Sequence, residues 1–487
     1  MGSLMNHPSP FDPDLLLGQL GVPLTRLSAD SRHVGPEVAF AAFPGSAHDG
    51  RSFIPQAIAK GVPAVLWDQN HFLWDPAWQV PNVPVPDLRH HVGNIAARIY
   101  EEPCRKLRMF GVTGTNGKTS VAHWIAQAYS HLGTPSVVVG TIGNGFPGAL
   151  TPSTHTTPDA VRLQEMLAQY VANGARACAM EVSSHGLHQG RINGCRFDVA
   201  VLTNLSRDHL DYHGSMEAYA EAKAGLFAWP ELEHAVLNLD DDFGRKLSSR
   251  IHGAKTVGYG FNQGEVRAEA IAISREGMKL SLNTAWGKAE LEARLVGRFN
   301  AANLLAVLAS LLVSDIPIDE ACDALSHVTP PEGRMQMLGG GTRPLVIVDY
   351  AHTPDALEKV LATLRPLAGA GRVICVFGCG GNRDRGKRPL MGQVASKGAD
   401  LVYVTSDNPR NEDPTDIISD IVSGMEAGSS RIEANRARAI FEAVGEAKVN
   451  DIILIAGKGH ENYQEIQGQK LPFSDVELAQ KALTSWM

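Results

Sequence analysis

The sequence of 487 residues has few cysteines, few aromatic residues and no apolar run near the roughly 20 residues that cross a bilayer. It also lacks an N-terminal charged segment followed by an apolar one, the pattern of a secretion signal. We therefore expect a cytoplasmic protein without membrane insertion. Basic residues are outnumbered by acidic ones, 44 against 52, which gives a net charge of −8. That balance argues against a nucleic-acid partner, because a phosphate backbone requires a basic surface.

The cysteines are scattered along the chain, and most of them lie in apolar stretches: Cys104, Cys178, Cys195, Cys322, Cys375 and Cys379. Cys375 and Cys379 are close enough to suggest half of a zinc site. No second Cys or His pair follows at the spacing that zinc sites use. We therefore expect reduced thiols in the core rather than disulfides or metal ligands.

The length predicts about three domains, at roughly 150 residues each. Short apolar runs that end in polar or glycine residues alternate with helical patterns, which predicts α/β domains with mainly parallel sheets. We expect a small α/β domain at 1–106 and a central domain at 107–337. An alternating pattern predicts a small antiparallel patch between residues 266 and 297 of the central domain. A second doubly wound, Rossmann-like domain is expected at 338–487.

The stretch Gly111–Ser120, GVTGTNGKTS, lies between an apolar run, Leu107–Phe110, and a helical pattern, Val121–Leu132, that Gly133 ends. A strand, a glycine-rich turn and a helix N-terminus in this order present backbone N–H groups to an anion. Phosphate is the anion that this arrangement favours. The alternative is an ordinary turn, and the strand and helix around the stretch weigh against it.

Within this stretch, Lys118 is placed to contact the outer phosphates of a nucleotide, and the Thr119 hydroxyl is placed to bind the accompanying magnesium. The match to a strict P-loop is incomplete. Val112 stands where that pattern has glycine.

Polar residues that follow other expected strands should share the crevice of the P-loop, because ligands bind at the carboxyl ends of parallel strands. Glu181 ends the apolar run Ala177–Val182 and could hold magnesium. Its alternative role is to cap the following helix. His209, in SRDHLDYHG, is a candidate second ligand, although a lone histidine is more often structural.

Several long motifs occur in one order along the chain: TGTNGKT, EVSSHG, TNLSRDHLDYHG, GRFNAAN, DYAHTP, FGCGGNRDRGKRP, DNPR and AGKGHE. Together they resemble the Mur ligases of peptidoglycan synthesis, and most closely the branch that adds meso-diaminopimelate. The resemblance extends from Asp30 to the C-terminus. It implies a three-domain cytoplasmic ligase, a monomer, that uses ATP and two Mg²⁺ ions.

The resemblance assigns the nucleotide and metal sites residue by residue. The residues expected around the ATP phosphates are Gly114, Thr115, Asn116, Gly117, Lys118, Thr119 and Ser120. Asn300 and Asn303 are expected near the adenine, and Arg334 and Asp349 are expected to complete the nucleotide site. The magnesium ligands are Thr119, Glu181, His209 and a carbamate formed from CO₂ on Lys223. Lys118, Lys223 and His209 are the expected catalytic residues. On its sequence position alone, Lys223 would be a solvated helix lysine.

The resemblance also assigns the two other substrates. For UDP-MurNAc-L-Ala-D-Glu, the residues are Ala29, Ser31, Ser46, Ala47 and His48 around the uridine diphosphate, and His155, Thr156, Thr157, Ser183, Gln189 and Arg191 along the sugar-peptide. Here the chain departs from the family, because His155 stands where Asn is frequent. For meso-diaminopimelate, the residues are Arg383, Asp407, Asn408, Pro409, Arg410, Gly457 and Glu461.

Arg410 is the residue expected to select the amino acid. Its guanidinium can hold the second carboxylate of meso-diaminopimelate, which lysine lacks. A site with an unpaired buried arginine should reject lysine. The alternative for Arg410 is an arginine on a surface loop.

The implied reaction activates the D-glutamate side-chain carboxylate as an acyl phosphate, which the diaminopimelate amine then attacks. A rival is folylpolyglutamate synthetase, which belongs to the same superfamily. A second rival, of another class, is a nucleotide switch or a non-catalytic ATP-binding scaffold. DNPR and the N-terminal loops argue against the first rival, and the charged loops of the third domain argue against the second.

Overall fold

The computed structural model describes residues 11–45, 48–153, 155–426, 428 and 430–486. The chain divides into two compact units, with the boundary between Tyr259 and Gly260. Within the described ranges, no helix is both long and apolar enough to cross a membrane.

The first part of unit 1 is a parallel four-stranded sheet in the order β1-β2-β3-β4. Its elements are α1 (Pro13–Gln19), β1 (Leu27–Ser28), β2 (Ala39–Ala42), α2 (Ile54–Ala59), β3 (Val65–Asp68), β4 (Asn82–Val85) and α3 (Leu88–Ile99). Strands β2 and β3 are wholly buried, and their side chains form one cluster with a face of α3 and a second cluster, on the other side of the sheet, with α2.

The second sheet of unit 1 contains six parallel strands in the order β12-β11-β10-β5-β9-β6, which β7 and β8 extend in antiparallel fashion. Its elements are β5 (Arg108–Thr113), α4 (Lys118–His131), β6 (Ser136–Val139), β7 (Gly143–Phe146), β8 (Ala149–Pro152), α5 (Ala160–Ala172), β9 (Ala177–Glu181), α6 (Ser184–His188), β10 (Val199–Leu202), α7 (Leu210–His213), α8 (Met216–Ala224), β11 (His234–Asn238), α9 (Asp242–Ser248) and β12 (Lys255–Gly260).

The order of these strands places β5 at a switch point. The chain runs from β5 toward β6 on one side and later adds β10, β11 and β12 on the other. Connections leave a switch point in opposite directions, which opens a crevice at the carboxyl end of the strand. The loop after β5 therefore lies where an α/β sheet binds ligands.

Unit 2 begins with an antiparallel meander, β13-β14-β15, and continues with a six-stranded sheet in the order β16-β17-β21-β18-β19-β20. All pairs of the larger sheet are parallel except β16 with β17. The elements are β13 (Val266–Ile273), β14 (Met278–Thr284), β15 (Gly287–Ala293), α10 (Arg298–Leu312), α11 (Ile318–Ser326), β16 (Gln336–Gly339), β17 (Leu345–Asp349), α12 (Pro354–Ala368), β18 (Val373–Phe377), α13 (Lys387–Gly398), β19 (Leu401–Val404), α14 (Pro414–Val422), β20 (Ser430–Ile432), α15 (Arg436–Gly445), β21 (Ile452–Ala456), β22 (Tyr463–Ile466), β23 (Gln469–Pro472) and α16 (Asp475–Thr484).

The predicted α/β class with mainly parallel sheets is confirmed, and so is the antiparallel patch, which is β13–β15. The helix expected from Val121 begins earlier, at Lys118. All six cysteines are buried free thiols, as predicted. The domain boundaries after residues 106 and 337 stay predictions.

Candidate functional site

The P-loop connects the end of β5 to the start of α4 and is tied to the neighbouring strand β10. Thr115 N–H donates to the Asn204 carbonyl at 2.9 Å, and Asn116 N–H donates to the Asn204 side-chain oxygen at 3.0 Å. Gly114 has a φ of +146°, and a Cβ there would lie 1.9 Å from Thr203 Oγ1. Only glycine fits this position, because the loop passes directly over the end of β10.

Two lysine side chains converge on one carbonyl oxygen of this loop. Lys118 Nζ donates to Gly114 O at 2.8 Å and to Thr115 O at 2.9 Å, and Lys223 Nζ donates to Gly114 O at 2.8 Å. Lys223 is 1% exposed and lies over the Tyr219 ring. The expectation of a solvated helix lysine is therefore wrong. Burial, with the charge of Lys118 adding to it, holds the pKa of Lys223 well below its ordinary value.

Glu181 lies at the carboxyl end of β9 and is 1% exposed. Its carboxylate accepts hydrogen bonds from Thr119 Oγ1 at 3.0 Å, Thr141 N–H at 2.7 Å and Thr141 Oγ1 at 3.2 Å. The alternative role as a helix cap is wrong, because Ser183 caps α6 through Gly186 N–H. Thr141 was missed from the sequence, although it follows the adjacent strand β6.

His209 precedes α7 and has a left-handed backbone, with φ +53°. Its ring centroid is 4.9 Å from that of His185 and 5.9 Å from that of Tyr219. Partial burial lowers the pKa of His209, an effect that Asp208 opposes and Lys118 reinforces. A neutral imidazole is the form that binds a metal ion.

Most residues assigned to the sugar-peptide join the same network as Glu181. Thr156 Oγ1 is 3.0 Å from Thr141 Oγ1, while Thr157 Oγ1 donates to Glu181 O and lies 3.0 Å from Ser183 Oγ. Arg191 donates to Thr157 O at 3.0 Å and to Gln189 Oε1 at 2.9 and 2.6 Å. His155 is exposed and lies next to these threonines in the chain.

Tyr212 was also missed from the sequence. Its hydroxyl accepts from Gln189 Nε2 at 3.1 Å and lies 2.9 Å from His188 Nδ1. The sequence signal that could have identified Tyr212 is its place within the DHLDYHG motif, two residues before the final glycine.

The residues assigned to uridine diphosphate follow the carboxyl ends of β1 and β2. Ala29 and Ser31 flank Asp30, whose pKa is lowered to about 2 by hydrogen bonds from Arg32. Lys60 Nζ donates to Ser31 O at 2.7 Å. The backbone carbonyl of His48 accepts from Gly45 N–H, and Ser46 and Ala47 lie outside the described residues.

Four residues assigned to the nucleotide belong to unit 2. Asn300 and Asn303 are buried in α10, and Asn303 Nδ2 donates to Asn300 Oδ1 at 3.3 Å. Asp349 ends β17 and accepts from Met335 N–H and Ala351 N–H, each at 2.8 Å. Burial raises the pKa of Asp349, which the charge of Arg334 opposes.

The residues assigned to diaminopimelate follow the carboxyl ends of three neighbouring strands, β18, β19 and β21. We call the segments 378–386, 405–413 and 457–465 the acceptor loops. Asn408 Nδ2 donates to Glu461 Oε2 at 2.8 Å, and the buried Lys458 donates to both side chains at 3.0 and 3.1 Å. Asp407 and Pro409 are buried and Arg383 is exposed. A Cβ on Gly457 would lie 2.7 Å from Asp407 Oδ2.

Arg410 is held in place on two sides. Its Nε lies 3.2 Å from Glu465 Oε2, and its guanidinium donates to Gly381 O at 2.8 Å. The side chain is 21% exposed. Arg410 thus lies on a loop, as the alternative expects, but its side chain is mostly buried and has partners. Lys458 and Glu465 were missed from the sequence, although Lys458 lies inside the AGKGHE motif.

Comparison with known proteins places the chain in one family. The chain matches the catalytic domain of the Mur ligase family over residues 23–100, the Mur ligase middle domain over 112–311 and the Mur ligase glutamate ligase domain over 333–459. A UDP-N-acetylmuramoyl-L-alanyl-D-glutamate–2,6-diaminopimelate ligase of Chromobacterium violaceum is 54% identical, over 98% of this chain and 97% of its own.

Two solved structures extend the comparison. The structure of a ligase with the same name has 40% identity and a TM-score of 0.73, with 95% of each chain covered. The MurF ligase of Thermotoga maritima in complex with ADP has 17% identity and a TM-score of 0.65, over 94% of this chain and 98% of its own, and shares the fold. The chain has the three-domain α/β fold of these proteins and belongs to the Mur ligase family.

Proposed function

We propose that this protein is an ATP-dependent ligase that joins meso-diaminopimelate to the side-chain carboxylate of D-glutamate in UDP-MurNAc-L-Ala-D-Glu. Its place is cytoplasmic peptidoglycan precursor synthesis, where it acts as a monomer. The name of the relative at 54% identity over nearly the full length supports the assignment. The observation that carries it is the convergence of Lys118 and Lys223 on Gly114 O beside the buried Glu181.

This convergence is unfavourable unless an anion balances it, because two like charges share one carbonyl oxygen. The phosphates of ATP supply such an anion to Lys118. CO₂ would supply a second anion at Lys223, since a neutral amine adds to the carbon of CO₂, releases one proton to solvent and becomes an anionic carbamate. The depressed pKa of Lys223 favours that neutral amine. The carbamate N–H would still donate to Gly114 O.

The set of Glu181, Thr119, His209 and a carbamylated Lys223 fits Mg²⁺, which prefers oxygen ligands. Glu181 presents a carboxylate that is oriented by neutral hydrogen-bond donors alone, and Thr119 contributes a hydroxyl. His209 and a carbamate on Lys223 complete the proposed set. The bound ions would neutralise charge between the γ-phosphate and the substrate carboxylate.

The chain's own residues then position the reactants. A carboxylate oxygen of D-glutamate attacks the γ-phosphorus of ATP, the bond to ADP breaks, and an acyl phosphate forms. Lys118 holds the transferred phosphoryl group as a fixed charge. The diaminopimelate amine attacks the acyl carbon, loses a proton, and orthophosphate leaves. Most of the rate acceleration comes from placement and charge stabilisation.

Arg410 supports meso-diaminopimelate as the acceptor. Glu465 pairs with its Nε and Gly381 O accepts from one of its NH₂ groups, which leaves further N–H groups of the guanidinium for a carboxylate ligand. Arg383 would hold the other carboxylate, while Asp407 and Glu461 would receive the distal ammonium. Lysine has no carboxylate for Arg410, so the site should reject it.

The decisive assay is phosphate release with ATP and UDP-MurNAc-L-Ala-D-Glu, with meso-diaminopimelate or L-lysine as the acceptor. We expect release that requires both the muropeptide and diaminopimelate. Preference for lysine would overturn the acceptor assignment and leave the ligase class intact. Release that ignores the muropeptide would favour a nucleotide switch, and release that requires a folate with glutamate would favour folylpolyglutamate synthesis.

A further inference from the structure

Arg388 is a fully buried cation of unit 2 that has no role in the reaction described above. It lies in the first turn of α13, and its side chain is 0% exposed. It makes a two-pronged contact with Glu412, in which each of its two NH₂ groups donates to one carboxylate oxygen at 2.9 Å. It also donates to Asp420 Oδ2 at 2.9 Å and to Gly380 O at 3.4 Å. One guanidinium thus joins two acceptor loops and α14.

The same two acceptor loops, 378–386 and 405–413, are bonded to each other directly. Gly381 N–H donates to Asn408 O at 2.9 Å, and Asn411 N–H donates to Asn382 Oδ1 at 3.1 Å. Glu412 accepts a hydrogen bond from Asn382 N–H, so the carboxylate that pairs with Arg388 also contacts loop 378–386. The Arg388–Glu412 pair therefore adds a buried ionic contact to the backbone and side-chain hydrogen bonds that set the register between the loops.

These loops carry the two arginines that the proposed function assigns to the carboxylates of the acceptor. Arg383 lies on loop 378–386 and Arg410 on loop 405–413. The separation of the two guanidinium groups depends on how the loops are held against each other. An ion pair with these partners contributes little net stability compared with an apolar replacement, but it enforces one geometry. A fixed geometry is what recognition of two carboxylates at a set distance requires.

We propose that Arg388 is a positioning residue, which sets the separation of Arg383 and Arg410 and so the selection of an acceptor with a carboxylate at each end. The inference rests on the proposed function and adds a specificity determinant to it. Arg388 does not touch the acceptor. It acts through Glu412 and Gly380, and its removal should weaken acceptor binding without weakening nucleotide binding.

The test compares Arg388→Met with a matched control, Arg372→Met, in the full-length protein. Arg372 lies at the amino end of β18, and its Nε and one NH₂ group both donate to the same oxygen, Oδ2, of the buried Asp451, at 3.0 and 2.8 Å. The measurements are the KM for meso-diaminopimelate, ATP and muropeptide, together with kcat and the melting temperature. Lysine is tested as a second acceptor for each variant.

For Arg388→Met we expect the KM for meso-diaminopimelate to rise about tenfold or more, with the KM for ATP changed by less than about twofold. The preference over lysine should shrink by a similar factor. Arg388→Lys keeps the charge but not the two-pronged contact, so its KM should lie between those of Arg388→Met and the wild type. Arg372→Met should lower the melting temperature and leave every KM unchanged.

If Arg388→Met is as destabilised as the control and its diaminopimelate KM is unchanged, the positioning role is refuted. If Arg388→Met does not fold, Glu412→Gln decides the question, because it keeps the shape of the side chain and removes the charge. An unchanged diaminopimelate KM in Glu412→Gln also refutes the role. A wild type that releases no phosphate with diaminopimelate instead refutes the proposed function itself.

Discussion

The P-loop site of unit 1 and the acceptor loops of unit 2 handle buried charge in opposite ways. In the P-loop site, Glu181 accepts hydrogen bonds from hydroxyl and N–H groups, and Lys223 donates to a carbonyl oxygen. Among the residues that the structure describes, neither side chain forms an ion pair. In the acceptor loops, Arg410 faces Glu465 and Lys458 contacts Glu461.

The contrast follows from what each site would bind. Neutral partners orient a charged side chain without cancelling its charge, which leaves that charge for phosphate or magnesium. Ion pairs cancel most of the charge and fix the geometry, which suits recognition of a zwitterion with little net charge. Substitutions in unit 1 should therefore affect kcat, and those in the acceptor loops should affect the KM for one substrate.

The largest effect is expected for Glu181→Gln. The amide keeps the size of the side chain but removes the negative charge that would face magnesium. We expect kcat for phosphate release to fall by a factor on the order of 10² to 10³, with little change in melting temperature. The control is Asp198→Asn, since Asp198 is a buried carboxylate immediately before β10 that pairs with Arg196 at 2.9 Å. That variant should lose stability and keep kcat. If Glu181→Gln lost stability and kept its kcat, the contrast between the P-loop site and the acceptor loops would not hold.

Lys223→Ala should come next, with a loss of activity of about 10² or more. If a carbamate is the working group, acetate or another short carboxylate should restore part of the activity, and methylamine should not. The exposed helix residue Lys246 offers the control, because Lys246→Ala should behave as the wild type. Rescue by the amine alone would show that the working group is an ammonium, which would place a permanent cation in the P-loop site.

For Arg410→Ala we expect the KM for meso-diaminopimelate to rise by a factor of about 10². This corresponds to the loss of a charged, two-pronged hydrogen bond between the guanidinium and a carboxylate of the substrate. The KM for ATP should not change. Glu465→Gln tests the partner, and its smaller rise in KM should reflect a guanidinium that is less firmly held. An unchanged diaminopimelate KM in Arg410→Ala would contradict the acceptor assignment.

The strands that line these sites could be predicted because parallel strands buried on both faces appear as continuous apolar runs. Ala177–Glu181 and Val199–Leu202 show this pattern. Strands at sheet edges do not. The edge strand Ser430–Ile432 and the hairpin that begins at Tyr463 are short and partly exposed, and their residues show no periodic pattern that predicts a strand.

Side-chain partners were harder to predict than side-chain identities. The motifs pointed to Lys223 and Arg410, but their surroundings depend on contacts between residues far apart in the sequence. Lys223 lies in a helix with little apolar pattern, and its burial arises from contact with Gly114, which is 109 residues away in the chain. Glu465 reaches Arg410 through a hairpin that the sequence did not reveal.

The smallest expected effect concerns His460, which lies in the third acceptor loop. Burial, together with the charges of Arg334 and Lys458, lowers the pKa of His460 to about 4. An unfolded histidine titrates near pH 6.5, so between pH 6.5 and 4 the unfolded state binds the extra proton. Stability should therefore fall as the pH drops through this window, by at most about 3 kcal/mol from this group.

His460→Gln removes the proton that the unfolded state takes up at this position. The stability of the variant should therefore fall less steeply than that of the wild type between pH 6.5 and 4. The measurement is the melting temperature or hydrogen-exchange protection of unit 2 across that range. A profile that stays equally steep in His460→Gln would mean that His460 takes up its proton readily in the folded state. The acceptor loops would then tolerate more positive charge than their ion pairs balance.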